Sequence, residues 1–88
     1  MKVEFRKSFT KDLKSISDKN LLRRVKDAIE IIEKSKSLFN ITSLKKLKAS
    51  ENHFRLRIGE YRLGLALEIE KVIFVRFLHR KDIYKFFP

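Results

Sequence analysis

The alternation of apolar and polar residues is clearest over residues 53–64, where it predicts a β-hairpin. The apolar set on one face is Phe54, Leu56, Ile58, Tyr61 and Leu63, and the polar set on the other is His53, Arg55, Arg57 and Arg62. The alternation changes phase at Gly59-Glu60, and glycine at the first position of a two-residue turn favours a type II′ hairpin. This turn places Ile58 opposite Tyr61 and Arg57 opposite Arg62.

The polar face of this hairpin is unusual because it sets arginines against each other. Like charges directly opposite each other destabilise a sheet. A face that carries Arg55, Arg57 and Arg62 is therefore consistent with a site for an anion. The alternative interpretation is an ordinary solvated face in a basic protein.

The rest of the apolar pattern predicts an α+β fold. Alternation at Met1, Val3 and Phe5 indicates a short strand, and residues 72–78, apolar on both faces, are typical of a covered central strand. Helical spacing predicts two helices between the first strand and the hairpin, carrying Phe9, Leu13, Ile16 and then Leu21, Leu22, Val25, Ala28, Ile29, Ile32. The order β-α-α-β-β-β predicts one domain over residues 1–88, an antiparallel four-stranded sheet with a helical hairpin packed on one face.

Two segments leave alternatives open. Residues 42–48 either form a helical turn or lead into the hairpin. The second turn, near residues 68–71, sets the register of the last strand. A three-residue loop places Arg76 on the face of Arg62, and a two-residue loop does not.

Amino-acid composition narrows the range of partners and sites that the protein can have. Lys and Arg number 22 against 11 acidic residues, a net charge of +11, which implies a polyanionic partner. There are no cysteines, which excludes disulfides, zinc–thiolate sites and thiol nucleophiles. No apolar run approaches the length of a membrane-spanning helix and no signal peptide is visible, so we expect a cytoplasmic protein without a membrane partner.

The candidate chemistry is that of a cationic site. The two histidines lack metal-ligand spacing and there is no glycine-rich phosphate loop, so we expect no metal and no cofactor. Arginine, lysine, histidine and tyrosine side chains can bind a phosphate and stabilise a phosphorane-like transition state without a metal. In RNA the substrate's own 2′-OH can be the nucleophile, and the protein then supplies positioning, charge and proton transfer.

Three features together resemble the RelE/ParE superfamily of type II toxin–antitoxin toxins. They are the element order, the basic hairpin with Tyr61-Arg62-Leu63, and the ending Leu78-His79-Arg80-Lys81-Asp82-Ile83-Tyr84. RelE-like members cleave mRNA in the ribosomal A site, leaving a 2′,3′-cyclic phosphate and a 5′-hydroxyl. ParE-like members share the fold, lack most of that catalytic set and poison DNA gyrase.

The resemblance implies roles for individual residues. Arg62 matches the arginine that stabilises the scissile phosphate, Arg80 a C-terminal proton donor or phosphate clamp, and Tyr84 a tyrosine that orients or stacks on the substrate. Arg55 and His53 stand where RelE-like toxins carry two lysines. Because arginine cannot act as a base near neutral pH, His53 or His79 is the better proton acceptor. Further candidates for binding RNA phosphates are Arg57, Lys45, Lys46, Lys48 and Lys81.

The first functional hypothesis is a toxin that inhibits translation as a ribosome-dependent mRNA endoribonuclease. The alternatives are a ParE-like gyrase inhibitor without nuclease activity and a non-toxic basic RNA- or ribosome-binding module. In the toxin hypotheses the partner is a cognate acidic antitoxin in a hetero-oligomer, which wraps the sheet or displaces the C-terminal segment. The nuclease hypothesis adds the ribosome and mRNA.

Overall fold

The computed structural model describes residues 1–88, apart from the side chain of Asn40. Its elements are β1 (Lys2–Phe5), α1 (Lys7–Lys14), α2 (Lys19–Lys34), a 3₁₀ turn (Leu38–Asn40), β2 (Leu44–Lys46), β3 (His53–Ile58), β4 (Tyr61–Glu68), β5 (Lys71–His79) and α3 (Arg80–Phe86). They form one sheet in the order β1-β5-β4-β3-β2. The α+β class is therefore confirmed. In the part of the chain that is described, no helix combines the length and apolarity needed to cross a bilayer.

The prediction of a four-stranded antiparallel sheet is wrong in strand number and in direction. The sheet has five strands, and β1 runs parallel to β5, with Val3 opposite Val72. The extra strand is β2, which pairs with β3 along the edge of the sheet and decides against a helical turn at residues 42–48. β1 and β2 have only four and three residues, so neither gives a long alternating pattern.

The register of the hairpin between β3 and β4 is confirmed. Ile58 lies opposite Tyr61, and Arg57 lies opposite Arg62. Of the two turn residues, only Gly59 has a positive φ, at 58°. A type II′ turn requires a positive φ at its first central position, which glycine adopts at no steric cost.

The turn between β4 and β5 has two residues, yet Arg76 returns to the face of Arg62. Glu68 pairs with Lys71 across the turn, but Gly64 pairs with Arg76 and Leu65 with Phe74. Val75 is thus an extra, unpaired residue, which makes a β-bulge. The expectation that a two-residue loop would put Arg76 on the other face is wrong. The extra residue of the bulge shifts the alternation of the side chains by one position and so returns Arg76 to the face of Arg62.

The helical pair and the sheet enclose the main core. Buried side chains from α1 and α2 meet those of the sheet, among them Phe9, Val25, Ile32, Leu56, Ile58, Leu63, Leu65, Phe74 and Phe77. Asp18 begins α2 by accepting hydrogen bonds from the amides of Asn20 and Leu21.

The opposite face of the sheet is covered by α3, a helix that the sequence patterns did not predict. Ile83 and the adjoining Phe87 are buried there against β4 and β5. A Cβ atom at Gly64 would lie 2.8 Å from the ring of Phe87, so the chain after α3 approaches the strand closely. This contact places α3 beside the arginine face of the hairpin.

Two side chains of α1 form hydrogen bonds with backbone groups in the part of β5 that extends beyond β1. Ser8 Oγ donates to the carbonyl of Val75 (2.6 Å), and Asp12 accepts from the amide of Phe77 (2.9 Å). Asp12 also accepts from Nε and Nη2 of Arg76, at 2.8 and 3.0 Å. This hydrogen-bonded pair raises the pKa of Arg76 and directs its side chain toward α1.

Candidate phosphate-binding cleft

A cleft of about 310 Å³ opens on the arginine face, between the edge of the sheet and α3. It is lined by Ser43, Lys45, Arg55, Arg57, Arg62 and Tyr84. The register explains this convergence, because Lys45 pairs with Arg55 across β2 and β3, and Arg57 pairs with Arg62 across the hairpin. Of the described residues that line the cleft, none is acidic.

Arg55 lies at the base of this cleft against Tyr84. Its guanidinium carbon is 4.6 Å from the centre of the Tyr84 ring, a cation–π contact. Its Nη1 atom is buried and has no hydrogen-bond acceptor among the described residues. A guanidinium nitrogen at the base of a cleft can donate to an oxygen of a ligand that enters it, such as that of a phosphate.

Arg62 is fixed by the hairpin turn. Its Nη1 atom donates to the carbonyls of Gly59 (3.1 Å) and Tyr61 (2.9 Å). One nitrogen thus holds the guanidinium in place, and the remaining donors of the fork are available to a ligand. The side chain is half-buried in the sheet, so its charge is less screened than that of a free surface arginine.

Comparison with known proteins decides the family. The model of the "ParE toxin of type II toxin-antitoxin system, parDE" matches residues 3–84. The chain belongs to this family of toxins. It is thus a toxin of the RelE/ParE superfamily, as its element order and motifs indicate.

Individual relatives match the toxin over all or most of its length. Toxin RelE3 of Methanocaldococcus jannaschii is 43% identical over 89 residues and covers all of both chains. Putative toxin RelE1 of the same organism is 31% identical, over 91% of this chain and 89% of its own.

Solved structures agree with the fold of the toxin. A RelB–RelE antitoxin–toxin complex from Methanococcus jannaschii matches with a TM-score of 0.82 and 41% identity, covering 97% of this chain and 99% of the other. An archaeal RelE–RelB complex from Pyrococcus horikoshii matches with a TM-score of 0.73 over 90% and 93% of the two chains. At 22% identity this second match supports the fold alone.

The two histidines of the toxin lie outside the cleft, each with a local structural contact. His79 caps α3, where its Nδ1 accepts from the amide of Lys81 at 3.2 Å. His53 Nδ1 is 2.6 Å from Ser50 Oγ, and its ring meets Phe87 edge-on. Neither is among the residues that line the cleft.

The remaining basic candidates do not line the arginine cleft. Arg80 is at the start of α3, with its Nε 3.0 Å from the carboxylate of Glu60. Lys46 lines a separate, largely apolar cleft that also includes Leu44 and Phe54, on the helix side of β2. Lys48 and Lys81 are exposed and do not line the arginine cleft. Sequence reasoning missed Ser43, since only the pairing of β2 with β3 brings the residues before β2 to this site.

Tyr84 is the one proton-exchanging aromatic residue of the cleft, and its surroundings favour the phenolate. The side chain is 70% exposed. The adjacent Arg55 guanidinium is the main group that lowers the pKa of Tyr84 from its ordinary value near 10, because its hydrogen-bond donors and positive charge favour the phenolate. Arg62 and Lys45 act more weakly in the same direction.

We expect Tyr84 to ionise at a lower pH than a free tyrosine, because the nearby cations stabilise the phenolate. The difference in phenolate ultraviolet absorbance between the wild type and Tyr84→Phe gives its titration curve. Arg55→Gln should move the midpoint up toward the ordinary value. Arg23→Gln, which removes an equal charge from an exposed position on α2, should leave the midpoint in place. An unchanged midpoint in Arg55→Gln would contradict the assignment.

Proposed function

We propose that this toxin is a ribosome-dependent mRNA endoribonuclease. The observation that carries the proposal is the convergence of Lys45, Arg55, Arg57 and Arg62 around Tyr84 in one cleft lined by no acidic residue among those described. Four cations at this density fit a phosphodiester better than a neutral ligand. The RelE names of the relatives at 43% and 31% identity support the nuclease over other activities of the superfamily.

In the proposed reaction the attacking group comes from the RNA itself. The 2′-oxygen forms a bond to the adjacent phosphorus, and the bond from phosphorus to the 5′-oxygen breaks. The products are a 2′,3′-cyclic phosphate and a 5′-hydroxyl. Negative charge grows on the phosphoryl oxygens in the transition state, where it is stabilised by the unpaired Nη1 of Arg55 and by the donors of Arg62 that are not bound to the turn carbonyls.

The reaction also needs one proton removed from the 2′-OH and one delivered to the 5′-oxygen. Tyr84 is the cleft residue suited to one of these transfers, because Arg55 lowers the pKa of its phenol. We therefore assign this transfer to Tyr84 in preference to His53 and His79, which do not line the cleft. The arginines position the phosphate and carry no proton transfer near neutral pH.

The proposed partners follow from charge and from the related complexes. The related archaeal structures are complexes of RelE with RelB antitoxins. With a net charge of +11, this toxin suits an acidic antitoxin that covers the cationic cleft in a hetero-oligomer. Released from it, the toxin would act on mRNA at the ribosome, in the cytoplasm.

Induction of the toxin without its antitoxin tests the function. We expect protein synthesis to stop and new mRNA 5′ ends to appear at fixed positions within translated codons. DNA supercoiling should stay normal. The name of the matching family model favours one other outcome, a gyrase inhibitor. Intact mRNA together with gyrase-linked DNA damage would establish that activity and refute the nuclease. An absence of toxicity in a folded chain would refute both.

A further inference from the structure

Arg80, one of the arginines that the family resemblance associates with the phosphate, is held by the carboxylate of Glu60 in the β3–β4 turn, next to the residues that fix Arg62. We propose that Glu60 is a positioning residue, which holds Arg80 in the free toxin and releases it to an RNA phosphate. The inference rests on the proposed function, because the competing group is the phosphate of a bound RNA.

The β3–β4 turn anchors both Arg62 and Arg80. The amide of Arg80 donates to the carbonyl of Glu60 at 2.8 Å, and its Nε lies 3.0 Å from the Glu60 carboxylate. Arg62 binds the carbonyls on either side of Glu60, those of Gly59 and Tyr61. Three consecutive residues of one turn therefore fix the start of α3 and the guanidinium of Arg62 relative to each other.

The four-residue spacing of Arg80 and Tyr84 along α3 places Arg80 on the side of the helix that faces the cleft. Arg80 and Tyr84 are four residues apart in α3, so their side chains leave neighbouring points on one face of the helix. Tyr84 lines the cleft. Arg80 thus begins on the cleft side of α3, and its guanidinium, which is paired with Glu60, does not line the cleft.

The pair between Arg80 and Glu60 differs from the other arginine pair beside α3. Arg76 binds Asp12 through two nitrogens, with side chains only 24% and 11% exposed, and Asp12 also holds the amide of Phe77. Arg80 and Glu60 are 56% and 64% exposed. Exposed pairs are weak and screened by solvent. A phosphate in the cleft can therefore compete with Glu60 for Arg80, whereas Asp12 and Arg76 stay paired.

A double-mutant cycle on the full-length toxin tests this inference. The variants are Glu60→Gln, Arg80→Ala and the two together. The probe is a fluorescent RNA oligonucleotide with 2′-O-methyl groups, which can bind but cannot be cleaved. We expect Glu60→Gln to tighten binding about two- to fivefold, since an exposed ion pair contributes at most about 1 kcal/mol and about 1.4 kcal/mol corresponds to tenfold.

Three controls separate release of Arg80 from a change in net charge. The effect of Glu60→Gln should vanish in the Arg80→Ala background. Glu68→Gln removes the same charge from a carboxylate that pairs with Lys71 at the far end of β4 and should leave affinity unchanged. Glu60→Asp keeps the carboxylate and should bind as the wild type does. Thermal unfolding confirms that each variant is folded.

Several results would overturn the role of Glu60. They are equal tightening in the Arg80→Ala background, equal tightening by Glu68→Gln, weaker binding in Glu60→Gln, or no binding of the oligonucleotide to the wild type. A result that refutes the proposed nuclease activity differs from the results that refute the role of Glu60. A toxin that binds RNA, shows the expected cycle and leaves mRNA on ribosomes intact refutes the nuclease and retains the Glu60 inference.

Discussion

Arg62→Ala is expected to lower the rate of mRNA cleavage on ribosomes by about 100- to 1000-fold, the usual cost of removing one fixed donor from a transition state. The expected loss is large because the guanidinium of Arg62 is held in a fixed position as well as being positively charged. Arg62 is held by two turn carbonyls and faces Arg57 directly across the hairpin. The measurement is the single-turnover rate at which new 5′ ends form on a defined mRNA.

A loss of activity in Arg62→Ala must be separated from a loss of fold, because the same side chain supports the turn. Thermal unfolding of each variant makes this distinction. Arg62→Lys keeps one positive charge and loses the planar fork, so it should retain only part of the rate. Arg23→Ala is the matched control, since Arg23 is exposed on α2 outside the arginine cleft. Cleavage within a few-fold of wild type in a folded Arg62→Ala variant would refute the proposed role.

The hairpin was predictable because its information is local. Strict alternation over ten residues fixes the two faces, and Gly59 marks the turn and hence the register. The opposition of Arg57 and Arg62 followed from that register alone. The bulge at Val75 had no comparable signal, although it decides on which face Arg76 lies.

The features that were missed depend on contacts between distant parts of the chain: the parallel direction of β1, which was itself predicted as a strand, and the helix α3. β1 joins the sheet by pairing in parallel with β5, some seventy residues later. α3 has seven residues, which is too short for a stable isolated helix in water. It forms because Ile83 and Phe87 are buried against the sheet, a contact that depends on the absence of a side chain at Gly64.

The candidate site likewise divides into residues that local sequence pattern identifies and residues that depend on contacts between distant parts of the chain. Arg55 and Arg62 share a face by alternation, so the sequence grouped them. Tyr84 entered only through the family resemblance, and it reaches the cleft because α3 folds back over the sheet. The histidines were predicted to be proton acceptors because histidine is a common general base in catalysis. Their local environments could not be read from the sequence, and these place His79 at a helix cap and His53 beside Ser50.

Gly64→Ala is expected to destabilise the toxin by about 1–3 kcal/mol, the usual cost of adding a methyl group to a filled site. The added carbon would lie 2.8 to 2.9 Å from three atoms of the Phe87 ring, and Phe87 is buried and cannot turn into solvent freely. For a chain of this size each 1 kcal/mol corresponds to roughly 4–8 °C in the unfolding temperature. Circular dichroism during heating measures this shift.

The same substitution should also affect the cleft, because α3 carries Tyr84. If the clash moves α3 away from β4, Tyr84 leaves Arg55 and its pKa should rise toward the ordinary value. The cleavage rate should fall together with that change. In a Phe87→Ala background the clash is absent, and Gly64→Ala should then cost less than about 0.5 kcal/mol. An equal loss of stability in both backgrounds would show that strand β4 itself requires glycine, and that the packing of Phe87 on Gly64 does not position the helix.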